Sequence, residues 1–134
     1  MRGPFSQEAA PELLEGPHMH LDIDVARHRG FTVLSPRGDL DVATAERLRE
    51  AVTDTLVAGD LDVMVDLAEV EFIDSTGLGA LVGGRRRALA LNGSFALVCA
   101  DDHLLEVFRV TGLDKVLAIA GSVEEATAGV RPRR

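Results

Sequence analysis

Aromatic residues and cysteine are scarce in this chain of 134 residues. It contains no Trp and no Tyr, and its five Phe offer little stacking surface for bases, sugars or flat cofactors. The single cysteine, Cys99, allows neither an internal disulfide nor a thiolate cluster for zinc or iron–sulfur. We therefore expect no cofactor and no metal, and this cysteine usage fits a reducing compartment such as the cytoplasm.

Long apolar runs are absent as well. No segment approaches the roughly 18 consecutive apolar residues that a membrane-spanning helix needs. The chain also lacks the basic start and apolar stretch of a secretory signal peptide. The sequence therefore predicts a cytoplasmic protein with no membrane partner.

Positive charge is in the minority. Lys and Arg number 14 against 22 Asp and Glu, which gives a net charge of −8. Nucleic-acid binding depends on cations that neutralise phosphates, so this balance disfavours direct contact with DNA or RNA. Apolar residues make up 46% of the chain, which is enough to build the core of one domain.

The two ends differ from the middle in composition. Residues 1–19 contain three prolines and little apolar periodicity, so we expect a disordered N-terminal leader. Residues 129–134 contain three arginines and are predicted to be a basic C-terminal tail. The domain itself is predicted over residues 20–128.

Strand-like and helix-like patterns alternate along this domain. Such alternation predicts an α/β fold with a mainly parallel, mixed sheet of about five strands and about four helices. The first two strands are close enough in sequence to form a hairpin, and residues 68–74 are predicted to be a loop. The predicted strands are 21–25, 31–34, 63–67, 95–99 and 116–119. The predicted helices are 45–56, a second one with apolar positions from 78 to 89 that stops at Asn92 and Gly93, a third from 104 that ends at Gly112, and a short one after Ser122.

The segment Phe72–Gly79 has the composition of a helix start, with small polar residues followed by two glycines. One interpretation is a structural N-cap, in which Asp74, Ser75 or Thr76 accepts hydrogen bonds from backbone N–H groups. The other is an acceptor site for a phosphate on a hydroxyl, because free N–H groups and the helix dipole favour an anion there. The sequence leaves both open.

Enzymatic alternatives match the sequence poorly. Gly77, Gly79 and Gly83 approximate a dinucleotide fingerprint with Asp101 as its acid, but the third glycine comes one place late and no strand directly precedes the motif. A phosphate-binding P-loop lacks its lysine. A hydrolase nucleophile at Ser75 would need a glycine two residues earlier, where this chain has isoleucine. We therefore predict that the chain is not an enzyme.

The same motif resembles the signature of the bacterial anti-anti-sigma factors, also called anti-sigma factor antagonists, whose fold is the STAS domain. The resemblance covers about residues 20–128, in the order expected of that family. The segments that carry it are Val65–Leu67, Val70, Phe72–Gly79, Gly38–Asp41, Asn92–Gly93, Phe108 and Thr111–Leu113.

The resemblance implies a regulatory cycle. In that family the unmodified protein binds an anti-sigma factor and so frees a sigma factor. The anti-sigma factor has a histidine-kinase-like ATPase fold and acts as a serine kinase, and a serine phosphatase reverses the modification. By this resemblance the phosphorylated residue is Ser75. The implied partner-binding residues are Asp39, Asp41, Asp74, Ser75, Thr76, Gly77, Leu78 and Gly79. The alternative is a STAS-type interaction scaffold that phosphorylation does not regulate.

Overall fold

The computed structural model describes residues 21–129. The predicted leader and the arginines of the predicted tail lie outside these residues. None of the helices in the described range combines the length and apolar character that crossing a bilayer requires.

Six strands and four helices follow one another in the described range, together with one short 3-10 turn. In chain order they are β1 (Asp22–His28), β2 (Phe31–Leu40), α1 (Ala45–Val57), β3 (Asp62–Asp66), β4 (Val70–Ile73), α2 (Ser75–Ala90), β5 (Ser94–Val98), α3 (Asp102–Thr111), the 3-10 turn (Leu113–Lys115), β6 (Ala118–Ala120) and α4 (Val123–Gly129).

The sheet has the strand order β1-β2-β3-β5-β6, and β4 pairs separately with β2. β1 and β2 form an antiparallel hairpin, while the other pairs are parallel. Parallel strands require crossover connections, and here the helices supply them. The predicted α/β fold with a mixed, mainly parallel sheet is confirmed.

The core lies on both faces of the central strands. Val63 and Val65 of β3 face the larger apolar cluster, which α1, α2 and α3 cover. Met64, between them in sequence, belongs to a smaller cluster on the other face, to which Ala126 of α4 contributes. Burial on both faces explains why β3 is almost continuously apolar rather than alternating.

Two strand predictions were wrong in extent. Part of the predicted loop 68–74 is strand β4, which pairs with β2 at Gly38↔Val70 and Leu40↔Ile73. Accordingly β2 continues to Leu40, beyond the predicted end at residue 34. A strand of four residues is too short to show alternation, and its pairing contains an irregularity between Gly38 and Leu40.

Two further predictions were wrong in detail. The alternation in β1 predicts Val25 on the buried face, but this side chain is 64% exposed because β1 is an edge strand. The last strand is Ala118–Ala120 and follows a 3-10 turn, instead of occupying 116–119. α2 begins at Ser75, directly after the predicted capping residue Asp74, and its buried residues are mostly small ones that bring the helix close to the sheet: Gly77, Ala80, Leu81, Gly84 and Ala88.

Candidate functional site

Two parallel strands end side by side and bring Asp41 and Asp74 to the same edge of the sheet. Asp41 directly follows β2, and Asp74 directly follows β4. The backbone N–H of Asp74 donates to the carbonyl of Leu40, at 3.0 Å, and this bond continues the pairing of the two strands. The chain leaving β4 therefore begins α2 beside the end of β2.

Asp74 is the N-cap of α2. Its backbone is extended (φ −100°, ψ −174°), and its Oδ1 accepts a hydrogen bond from the Gly77 N–H at 2.9 Å. Its Oδ2 accepts a second bond from the N–H of Val42 at 3.1 Å. One carboxylate thus joins the start of α2 to the loop that precedes α1. Of the three predicted capping residues, Asp74 takes that role.

Gly77 fixes the position of the helix start. A Cβ at this residue would lie 2.4 Å from the carbonyl oxygen of Leu40 and 3.0 Å from Cγ2 of Ile73. Backbone approach this close leaves room only for glycine. Gly77 is buried, so its role in the predicted partner-binding segment is to position the start of α2.

Ser75 is the first residue of α2 and is exposed. Its side chain makes no hydrogen bond to any residue within 21–129. The N–H groups of the first helical turn have no partner inside the helix, and the positive end of the helix dipole points outward here. The hydroxyl therefore lies in solvent at a position that favours an added anion.

The neighbouring predicted residues differ in exposure. Thr76 and Leu78 are half-buried, and Leu78 packs against the larger core cluster. Gly79 is exposed, and a Cβ at this residue would meet nothing within 4 Å. The two glycines of the motif are thus different: Gly77 is required by packing, whereas no such contact exists at Gly79.

The loop before α1 is held by its own hydrogen bonds. The hydroxyl of Thr44 donates to the carbonyl of Asp39 at 2.5 Å and accepts from the N–H of Asp41 at 3.0 Å. Oδ1 of Asp41 accepts from the N–H of Ala43 at 3.0 Å. These bonds fix the loop between β2 and α1 beside the start of α2.

The predicted strand 31–34 leaves Asp39 outside the sheet, and Val42 is not among the predicted site residues. Asp39 belongs to β2 rather than to a loop, and no hydrogen bond joins its carboxylate to another described residue. Val42, which sequence reasoning missed, is 76% exposed in the loop that Asp74 holds. The available signal was an apolar residue between Asp41 and Ala43 that lies outside the periodicity of α1.

The site offers an exposed hydroxyl rather than an activated nucleophile. No His, Asp or Glu side chain within the described residues hydrogen-bonds to Ser75. Two residues of the weak dinucleotide pattern have structural roles instead. Gly77 packs on Leu40, and Asp101 caps α3 by accepting a hydrogen bond from the N–H of His103 at 2.7 Å. Across residues 21–129, no three His, Cys, Asp or Glu side chains are grouped so as to hold a metal ion.

Comparison with known proteins supports the resemblance. The anti-sigma-F factor antagonist RsfB of Mycobacterium tuberculosis is 30% identical to this chain over 114 residues, which are 85% of this chain and 93% of RsfB. The crystal structure of an anti-sigma factor antagonist from Mycobacterium paratuberculosis matches with a TM-score of 0.75 and 26% identity, covering 88% of this chain and 99% of that one.

A third match is a modified protein. The Bacillus cell fate determinant SpoIIAA, solved in its phosphorylated form, has a TM-score of 0.62 and 25% identity, and the match covers 82% of this chain and 100% of SpoIIAA. The family model of the STAS domain matches residues 22–126. The chain therefore belongs to the STAS domain family, together with the anti-sigma factor antagonists to which it is similar.

Proposed function

We propose that this chain is an anti-sigma factor antagonist that a phosphate on Ser75 switches off. In its unmodified form it binds an anti-sigma factor and thereby releases a sigma factor. The observation that carries the proposal is the exposed Ser75 hydroxyl at the start of α2, next to a carboxylate that caps the same helix. The similarity to RsfB and to phosphorylated SpoIIAA supports it.

The fold can accept the modification without rearrangement. Ser75 holds no side-chain hydrogen bond within residues 21–129, so a phosphate on it breaks none of the described contacts. Asp74, and not Ser75, supplies the side-chain cap of α2. The modification therefore acts on the surface that a partner meets.

The added charge is large enough for a switch. A phosphate adds about −1.5 to −2 charges beside Asp74. Where the bound partner places a negative group about 5 Å from this phosphate, each pair of unit charges repels by roughly 3 kcal/mol at an effective dielectric constant near 20, and solvent screens part of this. A partner surface that suits the unmodified site would lose about 2–3 kcal/mol of binding free energy, which is about 30- to 150-fold in affinity.

The chemistry of the cycle belongs to the partners. The proposed anti-sigma factor has a histidine-kinase-like ATPase fold and transfers the phosphate from ATP to Ser75, and a serine phosphatase removes it. This chain acts by binding in the cytoplasm, with no direct contact to nucleic acid. The exposed and unactivated serine supports its role as an acceptor rather than as a catalyst.

Intact mass spectrometry tests the proposal. The purified chain is incubated with ATP and each histidine-kinase-like anti-sigma factor encoded in the same genome. We expect the mass to rise by one phosphate in the wild type and in Thr53→Ala, and to stay unchanged in Ser75→Ala. Thr53→Ala is the control because it removes an exposed hydroxyl from α1, away from the proposed partner-binding residues. The proposal is contradicted if Ser75→Ala still gains a phosphate. It is also contradicted if none of the variants and not even the wild type gains one.

The alternative is an interaction scaffold that phosphorylation does not regulate. It is favoured by the finding that two residues of the motif have structural roles that need no phosphate: Asp74 caps α2, and Gly77 allows α2 to pack closely on Leu40. Ser75→Asp distinguishes the two functions, since the cap remains and the circular dichroism spectrum should not change. The switch predicts that this variant loses the anti-sigma factor, whereas the scaffold predicts that it binds its partner as the wild type does.

A further inference from the structure

The smaller apolar cluster lies on the face of the sheet opposite α1, α2 and α3. Its members on β2 are Phe31, which is 0% exposed, and Val33, which is 5% exposed. Val33 pairs with Met64 of β3, which is equally buried. A side chain that stands out from a sheet and is shielded from water needs other atoms packed above it.

α4 is too far from β2 to supply this cover. Of the helices in the described range, α4 alone contributes to the smaller cluster, through Val123 and Ala126, and it packs on β5 and β6. β2 lies two strands beyond β5, which is about 10 Å. A helix with its side chains is about 10–12 Å across, so α4 reaches toward β3 and not as far as β2. Residues 21–129 thus provide no layer above Phe31 and Val33.

A buried nitrogen beside Phe31 points to the same missing layer. His28 pairs with Phe31 across the hairpin, so the two side chains lie on one face of the sheet. Nε2 of His28 is buried, and no described residue forms a hydrogen bond with it. On a face open to solvent this nitrogen would be hydrated. Its burial indicates that a covering segment extends to the start of β2.

The N-terminal leader has the composition that such a cover needs. The chain outside the described range consists of residues 1–20 and 130–134. Residues 130–134 contain one valine among three arginines and a proline. The leader contains the adjacent pair Leu13 and Leu14 together with other large apolar residues. Apolar side chains are the ones that gain most from contact with buried phenylalanine and valine.

The leader also joins the sheet within reach of this face. Leu21 directly precedes β1, whose first residue, Asp22, pairs with Arg37 of β2. Val33 is four residues from Arg37 along the strand, which is about 13 Å. Leu14 is seven residues before Leu21, and an extended chain of that length spans up to about 25 Å. The leucine pair can therefore lie over the first half of β2.

We infer that the leader folds back across the sheet and packs Leu13 and Leu14 on Phe31 and Val33. The surface it covers belongs to this chain's own core, and the inference is independent of the proposed switch at Ser75. It also differs from the expectation of a disordered leader, which rests on the prolines alone. The leader would then be a third layer of the domain on the side where α4 leaves β2 bare.

Thermal unfolding of the full chain tests whether the leucine pair is buried. The double substitution Leu13→Ser/Leu14→Ser should lower the midpoint temperature by more than about 5 °C, because two apolar contacts with the core are lost. Ala9→Ser/Ala10→Ser is the matched control, since it adds the same two hydroxyls to the same leader, and it should change the midpoint by less than about 2 °C. Leu13→Ala/Leu14→Ala is the milder variant if the serine variant does not fold. Equal midpoints for the leucine variants and the wild type would overturn the inference.

Photo-cross-linking identifies what the leader contacts. A benzoylphenylalanine replaces Leu14 in the full chain, and a mixture of unlabelled and nitrogen-15-labelled copies is irradiated, digested and analysed by mass spectrometry. We expect cross-links within single chains to peptides that contain Phe31, Val33 or Met64. The same probe in place of Leu91, which is 50% exposed at the end of α2, should give none of these products.

Three results of the cross-linking experiment would overturn the inference. Products that combine the two isotopes would show that a second copy of the chain meets the leader. Products at other parts of the domain would place the leader elsewhere. If position 14 gave no product at all, residues 130–134 would be left as the segment that covers β2.

Discussion

Replacing Gly77 with alanine should destabilise the domain, although alanine is the better helix former. The new Cβ would lie 2.4 Å from the Leu40 carbonyl oxygen, closer than real Cβ atoms come to a neighbouring heavy atom. That oxygen also accepts the N–H of Asp74 at 3.0 Å, so α2 cannot shift without weakening this bond. Overpacking costs about 1–3 kcal/mol, and the weakened hydrogen bond adds about 1 kcal/mol.

The gain in helix propensity offsets about 1 kcal/mol of that cost. The free energy of unfolding should therefore fall by about 1–3 kcal/mol, which lowers the midpoint temperature by at least about 4 °C in a domain of this size. Urea denaturation followed by circular dichroism measures the change.

Gly79→Ala is the matched control for Gly77→Ala. The same substitution two residues later meets nothing within 4 Å, so stability should stay the same or rise by up to about 1 kcal/mol. Equal stability of the two alanine variants would refute the packing explanation of Gly77. If Gly79→Ala lowered the free energy of unfolding and Gly77→Ala did not, the glycine that packing requires would be Gly79 instead of Gly77.

Three other changes have expected outcomes. Asp74→Ala removes the acceptor for two backbone N–H groups and should lower the free energy of unfolding by about 1–3 kcal/mol in urea denaturation, with Asp74→Asn closer to the wild type. Ser94→Ala removes a 2.8 Å hydrogen bond to the buried Asp62 and should cost about 1–3 kcal/mol, measured in the same way. Burial raises the pKa of the Cys99 thiol above its ordinary 9.0, so the unfolded chain loses this proton first and stability should fall as the pH rises beyond 9.0. A thiol reagent at about pH 8 should accordingly label the folded chain far more slowly than the chain in urea, and equal rates would contradict this.

The sequence predicted those helices and strands in which the spacing of apolar residues reflects which faces are buried, whether one face or both. Leu48, Val52 and Leu56 are spaced for one helix face, and all three are buried in α1. β3 reads as a continuous apolar run because both of its faces are covered. In these elements the local pattern and the tertiary packing agree.

β4 and the buried face of α2 could not be predicted in this way. β4 depends on pairing with the far end of β2, and four residues carry no periodic signal of that pairing. α2 buries Gly77, Gly84 and Ala88, whose small size allows close approach but resembles a weakly apolar helix in sequence. Both features depend on contacts distant in sequence.

The candidate site was predictable in its members but not in their separate roles. The motif pointed to Asp74, Ser75, Gly77 and Gly79 together, since residue type alone indicates a helix start. Which of them caps the helix and which glycine is required depends on the position of the Leu40 carbonyl, which the sequence does not show. Val42 was missed because its backbone bond to Asp74 joins residues that are 32 positions apart in the sequence.

The most direct test of the proposed switch is the affinity of one preparation before and after phosphorylation. The dissociation constant for the anti-sigma factor is measured by calorimetry with the unmodified chain, and again after complete modification confirmed by intact mass. We predict that the modified chain binds at least about 30-fold more weakly while its midpoint temperature changes little. Equal affinity of the two forms would contradict the switch.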